Sequence, residues 1–578
     1  MPKSAARVVF ATPKLFLSLL PHLTPHDLAQ CLRVCKGWLH LLEPILWMDF
    51  CLEEPHDETL SDTRPSPMKD ALIRNLPYIR TVKCSVANVA LLQVLTNGSS
   101  TDSSTPCTQL KRLEIKEFNN TLADLTSRYL ATLLDLNRCL TQLELPIEFT
   151  HAKAVSASLS KLESLQRLTA GHCWGGEGIV LLENCLPLPS LTQLFIDLDM
   201  RWSYYEHRIT LETVIEEASI ARFSRDSNAA RIKSLQLPSN RNGDGNPLPL
   251  LLLKSELLDL EFCEIPWFDR EHEPDDLSEV AREHCPNLKH LTCPSFKDHE
   301  DDGNDVAAFI KGCSGLRSFD SDRFSDHDQE GDARRIIWTL AAHHSDTLEV
   351  FELTDCHQVF SHDQQAILSR CKQLKRFWVM SSTPYDSNIG ITYTDILRGK
   401  WVCMELTKLS LTLNRQPLDD DTFGELEDEE GDQEEEGAEE GESAESESEE
   451  DCELRLISIA AKSVYTRIGR LQKLEVLALS IDISQDTAAE EKDYAWDLTL
   501  SNGWLGEMAG LKNLKTLMLH AAFWSKMGQA EVEFMHERWP LLSAIYFNGN
   551  ALTVQAQPHW QWLRSQRPHL LYNYQFML

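Results

Sequence analysis

The chain has 578 residues, of which 42% are hydrophobic and 25% are charged, and its formal net charge is −34. This composition is typical of a globular protein with a large apolar core. The acidic balance argues against a nucleic-acid backbone or an anionic membrane surface as the main partner, because both repel negative charge. No apolar run reaches the roughly 18 residues that a membrane-spanning helix needs, so we predict no membrane contact.

The 16 cysteines are scattered along the chain, and no long apolar segment follows the first ten residues. We therefore expect reduced thiols and a cytoplasmic or nuclear location. The sequence contains no P-loop, no Gly-x-Ser-x-Gly elbow and no Gly-x-Gly-x-x-Gly that opens a helix. We predict a protein that has no catalytic activity of its own and needs no cofactor.

Two short helices with strong start signals are the first predicted elements. Thr12-Pro13 and Thr24-Pro25 each place Thr at the N-cap and Pro at the first helical position, and Asp27 adds an acid close to a capping box. A unit this small cannot bury its own apolar face and needs a partner. The face of the first helix consists of Leu15, Phe16, Leu19, Leu20 and Leu23.

Residues Pro13 to Phe50 resemble an F-box. The resemblance is carried by Asp27-Leu28, by Val34-Cys35-Lys36-Gly37-Trp38 and by Leu46-Trp47-Met48-Asp49-Phe50. F-boxes dock on the small Skp-type adaptor of a cullin–RING ubiquitin ligase. The family usually has Leu at the place of Thr12 and an acid at the place of Lys14. The resemblance implies an adaptor-binding face formed or supported by Pro13, Leu15, Phe16, Leu19, Leu20, Val34 and Trp38.

Two other interpretations of this segment compete with the F-box. His22, His26, Cys31 and Cys35 have a spacing compatible with a zinc site. Both cysteines fall at apolar helical positions, where a reduced Cys behaves as a small hydrophobe, so we predict no metal. The second alternative is an ordinary helical cap on the array that follows.

The pattern L-x-x-L-x-L recurs from Ile79 onward, in fifteen copies that mostly start 25–32 residues apart. Its alternating apolar residues predict short strands, and the residues between copies predict helices. Clear copies start at Leu110, Leu140, Leu191, Leu288, Leu348, Leu374, Leu406, Leu474 and Leu514, and weaker ones at Ile79, Leu165, Ile232, Leu257, Leu316 and Leu542. Several copies are preceded by a predicted helix that ends in a cysteine, at Cys285, Cys313 or Cys371, which resembles the cysteine-containing leucine-rich repeats found with F-boxes.

The predicted fold is α/β, with a three-helix F-box followed by a leucine-rich-repeat solenoid shaped as a horseshoe. The predicted organisation is an N-terminal tail at 1–10, the F-box at 11–55, a linker at 56–75 and the solenoid at 76–578. A disordered acidic insertion is predicted at 416–453, because Asp419–Asp451 holds 20 acidic residues among 33 and no Lys or Arg.

Three acidic stretches each follow a predicted strand, so we expect them on the same rim. They are Asp298–Asp305, Asp320–Asp332 and Asp419–Asp451. Each could be only a solvated spacer. Our sharper hypothesis is that this rim attracts a basic partner.

Large apolar residues at outward strand positions are candidate substrate-binding residues, because aromatic residues and Met are enriched in binding hot spots. They could instead be covered by neighbouring loops. We predict the substrate-recognition subunit of a Skp-type-adaptor/cullin/F-box (SCF) ubiquitin ligase. The alternative is a leucine-rich-repeat interaction scaffold without a degradative role. The candidate residues are Phe195, Trp378, Met380, Met518 and Tyr546.

Overall fold

A computed structural model gives the structure of the chain. The chain divides into an N-terminal unit, Met1–Leu260, and a C-terminal unit, Glu261–Leu578. The structure describes residues 23–32, 42–52, 67–87, 89–97, 106–118, 123–145, 152–174, 181, 184–185, 187–199, 232–236, 260–264, 277–293, 302–321, 332–354, 359–380, 390–414, 449–481, 496, 498–501, 503–548 and 557–573.

The described part of the N-terminal unit alternates strands and helices, and each strand pairs in parallel with the next one in the chain. Its strands are β1 Asp49–Leu52, β2 Thr81–Ala87, β3 Arg112–Phe118, β4 Gln142–Leu145, β5 Arg167–Trp174, β6 Gln193–Asp199 and β7 Ser234–Gln236. Its helices are α1 Pro25–Leu32, α2 Pro67–Asn75, α3 Val89–Asn97, α4 Ala123–Leu136 and α5 Ala152–Leu159, with a 3-10 turn at Leu76–Tyr78.

The described part of the C-terminal unit follows the same plan. Its strands are β8 Phe262–Glu264, β9 His290–Cys293, β10 Ser318–Ser321, β11 Val350–Leu353, β12 Arg376–Val379, β13 Lys408–Leu413, β14 Val476–Ile481, β15 Thr516–His520, β16 Ala544–Asn548 and β17 Leu571–Asn573. Its helices are α6 Leu277–His284, α7 Asp302–Gly312, α8 Asp332–His343, α9 Ser361–Arg370, α10 Tyr393–Arg398, α11 Glu449–Gly469, α12 Trp504–Glu507, α13 Ala521–Trp524, α14 Gln529–Arg538 and α15 Pro558–Gln566, with a 3-10 turn at Met508–Gly510.

Each strand buries one face and leaves the other more open to solvent. In β9, Leu291 and Cys293 are buried while His290 and Thr292 are half-buried, as a period of two requires. We call the less buried side of each sheet its open face. Because parallel strands need a crossover between them, the intervening helices follow from the strand order. The predicted α/β fold class is confirmed, and the structure adds that the described strands pair in parallel.

Three helices end one residue before the cysteine that the sequence predicted as their last residue. Cys285, Cys313 and Cys371 follow α6, α7 and α9, and all three are buried. Burial raises the pKa of the Cys285 and Cys371 thiols to about 12. These cysteines therefore stay protonated at neutral pH and pack as small apolar side chains.

Three aromatic rings replace leucine in the core beneath β10, β11 and β12. Phe319, Phe351 and Phe377 are register partners, are fully buried and stack with centroid separations of 6.2 and 5.7 Å. We call them the phenylalanine ladder. Stacked rings fill more volume than leucines and pack against one another across the three strands.

One predicted strand register is wrong. The copy assigned to Leu257 starts at Leu260, because β8 begins two residues after Leu260 and Cys263 pairs with Leu291. Leu260 and Cys263 are both fully buried. Cysteine takes the place of the second leucine, so a search for leucine alone finds the wrong frame. The C-terminal strand β17 was also not predicted.

Two described helices lie partly within segments that the sequence assigned to the linker and to the acidic insertion. Helix α2 begins at Pro67, inside the segment predicted as linker 56–75. The predicted disordered insertion 416–453 overlaps α11, which begins at Glu449. Glu449, Glu450 and Asp451 are the first three residues of this helix. The rest of the insertion lies outside the described residues.

The other two acidic stretches also end in the first turn of a helix. Asp302 and Asp305 lie in the first turn of α7, and Asp332 begins α8. In the described residues, no helix is long and apolar enough to cross a membrane.

Candidate functional site

Helix α1 begins with the predicted cap. The Thr24 hydroxyl accepts a hydrogen bond from the Asp27 backbone N–H at 3.2 Å, and the Thr24 N–H donates to Asp27 Oδ2 at 3.0 Å. The Thr24 hydroxyl also donates to the same carboxylate oxygen at 2.7 Å. These bonds favour the ionised carboxylate, so the pKa of Asp27 lies below its usual value. The reciprocal pair confirms that α1 starts where the sequence places it.

A small apolar cluster joins α1 to the helical residues 42–46. Leu28 and Leu42 are buried against each other, and Leu23, Ile45 and Leu46 pack around them half-buried. These contacts hold the described helices of this segment together. The residues predicted to meet an adaptor lie outside the described residues: Pro13, Leu15, Phe16, Leu19, Leu20, Val34 and Trp38.

The alternative zinc pattern also falls largely outside the structure, since neither His22 nor Cys35 is described. Across the described ranges, no group of three or more His, Cys, Asp or Glu side chains has metal-binding geometry.

The end of this N-terminal segment is part of the parallel sheet. Strand β1 pairs with β2 in register, with Phe50 opposite Val82. The backbone N–H groups of Arg80 and Thr81 both donate to the Met48 carbonyl at 2.9 Å. The Trp47 ring stacks on Phe50 at 6.2 Å, and Phe50 is buried. The helical segment therefore continues directly into the first strand.

Sequence reasoning missed β1 because aromatic residues replace the leucines. Trp47-x-x-Phe50-x-Leu52 has the spacing of L-x-x-L-x-L, and register with β2 places it on Ile79-x-x-Val82-x-Cys84. A search that accepted aromatic residues at the leucine positions would have found it. The predicted F-box, 11–55, therefore overlaps the sheet.

Comparison with known protein families was made on the whole chain. Residues 13–53 match the F-box-like family. The chain therefore carries an F-box-like domain, and the matched residues include α1, the small apolar cluster and β1. F-box domains typically bind Skp-type adaptors. A search of curated proteins found no match to the chain.

The candidate substrate-binding residues are half-buried on the open face of strands in both units. Phe195 lies on β6 in the N-terminal unit. In the C-terminal unit, Met518 and Tyr546 lie directly opposite each other on β15 and β16. Trp378 lies on β12, and Met380 follows that strand and donates its backbone N–H to the Leu353 carbonyl at 3.0 Å. The structure thus brings Met518 and Tyr546 together.

A buried polar cluster, which sequence reasoning missed, lies where α8, α9 and α10 meet. The Trp338 indole N–H donates to Asp363 Oδ1 at 2.8 Å, while Asp363 Oδ2 is buried without a hydrogen-bond partner. Directly before α10, the Thr392 N–H donates to the Ser361 hydroxyl at 2.8 Å. The Trp401 indole N–H donates to Gln365 Oε1 at 3.2 Å.

Asp363 is the titratable centre of this cluster. Burial raises its pKa to about 7, against the opposing effects of the Trp338 hydrogen bond and the nearby Arg334. His362 Nε2 lies 3.2 Å from Asp363 Oδ1, and burial lowers the pKa of that imidazole. The cluster can therefore take up or release a proton near neutral pH. Its signal in the sequence is the polar run Ser361-His362-Asp363-Gln364-Gln365 in a helix with apolar neighbours on both sides.

Proposed function

We propose that this protein is the substrate-recognition subunit of an SCF-type ubiquitin ligase. The observation that carries the proposal is the F-box-like match at residues 13–53, in a segment with a capped helix and an apolar cluster. In this proposal the F-box-like domain binds a Skp-type adaptor, and through it a cullin. The remaining strands and helices form a leucine-rich-repeat solenoid that binds a protein substrate.

The mechanism is proximity rather than catalysis. One end of the chain binds the ligase and the other raises the local concentration of the substrate near it. The chain itself needs no catalytic residue and no cofactor. The substrate is a basic protein in the cytoplasm or nucleus, because the acidic net charge of −34 favours a partner of opposite charge.

In this mechanism, the pairing of β1 with β2 limits the rotation of the F-box-like domain. A flexible connection would let the F-box-like domain rotate freely, whereas β1 shares a parallel ladder with β2. Residues Trp47 and Phe50, which stack at the junction, further limit rotation. In the proposed complex, the adaptor is therefore held in one orientation relative to the N-terminal unit.

Co-purification with the Skp-type adaptor tests the proposal. We expect the full-length protein to retain the adaptor and Leu20→Asp to abolish retention, because a buried charge in an apolar interface is strongly unfavourable. Leu541→Asp is the matched control, since Leu541 is 49% exposed in the C-terminal unit. Failure of the unaltered protein to retain the adaptor would contradict the proposal.

The alternative is a leucine-rich-repeat scaffold that binds the adaptor without directing degradation. The F-box-like match favours adaptor binding in both cases. Proximity labelling with the full chain and with Leu20→Asp identifies the partners, and their half-lives then separate the two functions. A substrate receptor shortens the half-life of at least one partner, and Leu20→Asp restores that half-life. A scaffold changes no half-life.

A further inference from the structure

Three side chains form one line across the open face of β10, β11 and β12. Asp320 pairs in register with Glu352, and Glu352 pairs with Trp378, so neighbouring strands place them about 5 Å apart. All three are half-buried. We call this line the Trp378 row. Each member directly follows one ring of the phenylalanine ladder, which packs beneath the three strands.

The Trp378 indole is open to an additional partner. In the described part of the chain, its ring makes no aromatic or cation contact and its N–H makes no hydrogen bond. Arg376 lies two residues earlier on the same strand, and its guanidinium is 3.8 Å from Glu352 Oε1. That separation exceeds hydrogen-bonding distance and both side chains are partly exposed, so the pair is weak. Glu352 can therefore accept hydrogen bonds from a second cation.

The chain segments that follow β10 and β13 are acidic and favour a positively charged partner near the Trp378 row. Strands β10 and β13 end at the same edge of their sheet, because all described strands of the unit run parallel. The sequence after β10 is acidic from Asp322 to Glu330. Residues 415–448, which follow β13, contain 17 acidic residues and one Arg. Their combined potential raises the local concentration of a cationic partner at this edge.

We propose that the Trp378 row binds an arginine or lysine side chain from a basic segment of the partner protein. The cation lies over the face of the Trp378 indole, where the ring quadrupole attracts it. Its N–H groups donate to the carboxylate of Glu352, with Asp320 adding negative charge on the next strand. This inference rests on the proposed function, since it assigns a chemical class to the substrate of that same receptor.

Binding of short labelled peptides to the full-length protein tests the proposal. The probe is fluorescent (Gly-Arg)5, followed by anisotropy at 50 and 200 mM NaCl, with (Gly-Glu)5 and (Gly-Ser)5 as matched peptides. We expect (Gly-Arg)5 alone to bind. Trp378→Ala should weaken that binding roughly 3- to 30-fold, the range of a partly desolvated cation–π contact. Glu352→Gln should weaken it by a similar factor, and Trp378→Phe should give an intermediate affinity.

Two control variants separate this row from net charge and from general aromaticity. Asp346→Asn removes the same charge from a carboxylate that is 82% exposed and outside the row. Tyr78→Ala removes an aromatic ring that is 42% exposed and lies outside the row, in the N-terminal unit. Neither should change affinity more than about twofold. Equal losses for Asp346→Asn and Glu352→Gln, no loss for Trp378→Ala, or equal binding of (Gly-Glu)5 would each overturn the proposal.

Adaptor co-purification separates a failure of peptide binding by the Trp378 row from a failure of the proposed function. Trp378→Ala should retain the adaptor as the unaltered protein does, because the substitution lies in the C-terminal unit. Loss of peptide binding with the adaptor retained supports the row. Adaptor retention without any peptide binding overturns the row and leaves the proposed function standing. Circular dichroism of each variant verifies that it is folded.

Discussion

In both units, a buried polar side chain bonds the backbone groups that lie between a helix and a strand, but the side chain differs. In the N-terminal unit, Asn137 follows α4 and is fully buried. Its Oδ1 accepts from the Leu110 N–H at 2.7 Å, and its Nδ2 donates to the Cys107 carbonyl at 2.7 Å and to the Leu133 carbonyl at 2.8 Å. One amide therefore satisfies three backbone groups where a helix ends and a strand begins.

In the C-terminal unit, His344 holds the equivalent place after α8 and is also buried. Its Nδ1 accepts from the Leu316 N–H at 3.3 Å, and its Nε2 lies 2.8 Å from the Ile310 carbonyl. This arrangement needs the neutral tautomer with the proton on Nε2. Leu316 stands two residues before β10, as Leu110 stands two residues before β3.

The difference teaches that the repeated backbone geometry fixes the need for a buried donor and acceptor, but not which side chain supplies them. An amide supplies both at every pH. An imidazole supplies both only while it is neutral. Burial disfavours the charged ring and lowers the pKa of His344, which keeps the ring neutral. The C-terminal unit therefore carries a pH dependence at this junction that the N-terminal unit lacks.

Removing Asn137 should have the largest effect. Asn137→Ala leaves the Leu110 N–H and the Cys107 carbonyl buried without partners, so we expect the free energy of unfolding of the N-terminal unit to fall by about 2–4 kcal/mol. Urea denaturation and hydrogen exchange at the Leu110 amide measure the change. Asn513→Ala is the control, because the Asn513 bond to the Gln472 carbonyl is exposed and water can replace it. Equal losses for both variants would contradict the interpretation.

Acid should break the hydrogen bonds of His344 but not those of Asn137. The folded-state pKa of His344 lies below the unfolded value of 6.5, so between the two values only the unfolded chain binds the proton. The free energy of unfolding therefore falls as pH drops below 6.5, by at most about 1.4 kcal/mol per pH unit. We expect His344→Asn to remove this component, since an amide can bond Leu316 and the Cys313 carbonyl as Asn137 bonds its partners.

Denaturation of the unaltered protein and of His344→Asn at pH 7.5, 6.5 and 5.5 measures this difference. Other histidines, including His362 and His559, also have lowered pKa values, so only the difference between the two proteins reports on His344. Parallel pH curves for the two proteins would show that His344 makes no contribution.

The smallest expected effect has the opposite sign. The folded-state pKa of Asp363 is about 7 against 3.8 unfolded, so the folded state binds more protons between these values. The free energy of unfolding therefore decreases as pH rises from 4 to 7. Asp363→Asn should remove that decrease and stabilise the protein at pH 8 by about 1 kcal/mol, because its new buried N–H₂ offsets part of the gain. Asp346→Asn, at an exposed carboxylate, should leave the pH curve unchanged.

The local parts of the fold could be predicted from the sequence. The cap of α1 depends on Thr24 and Asp27, three residues apart. Most strands could be predicted because alternating leucines define their buried face within six residues. Cys263 and the aromatic pair Trp47 and Phe50 broke the leucine pattern while keeping its spacing, so the register of β8 and the presence of β1 were missed.

The buried hydrogen bonds of Asn137 and His344 could not be predicted, because the residues they join are distant along the chain. Asn137 bonds a residue 27 positions earlier, and His344 bonds one 28 positions earlier. Nothing local separates these residues from solvent-exposed Asn or His. The same holds for Asp363, whose partner Trp338 is 25 residues away. The adaptor-binding residues, from Pro13 to Trp38, remain a prediction from resemblance.

The pairing of β1 with β2 also limits where another F-box can be joined to this chain. A chimera that exchanges residues 1–55 for another F-box would remove β1 and leave the backbone groups of β2 without their ladder partner. An unpaired strand edge invites pairing with another molecule, so such a chimera should aggregate. A junction placed before Met48 keeps the carbonyl that accepts from Arg80 and Thr81. The strand that ends the F-box-like domain therefore has to stay with the sheet in any such exchange, because its backbone pairs with β2.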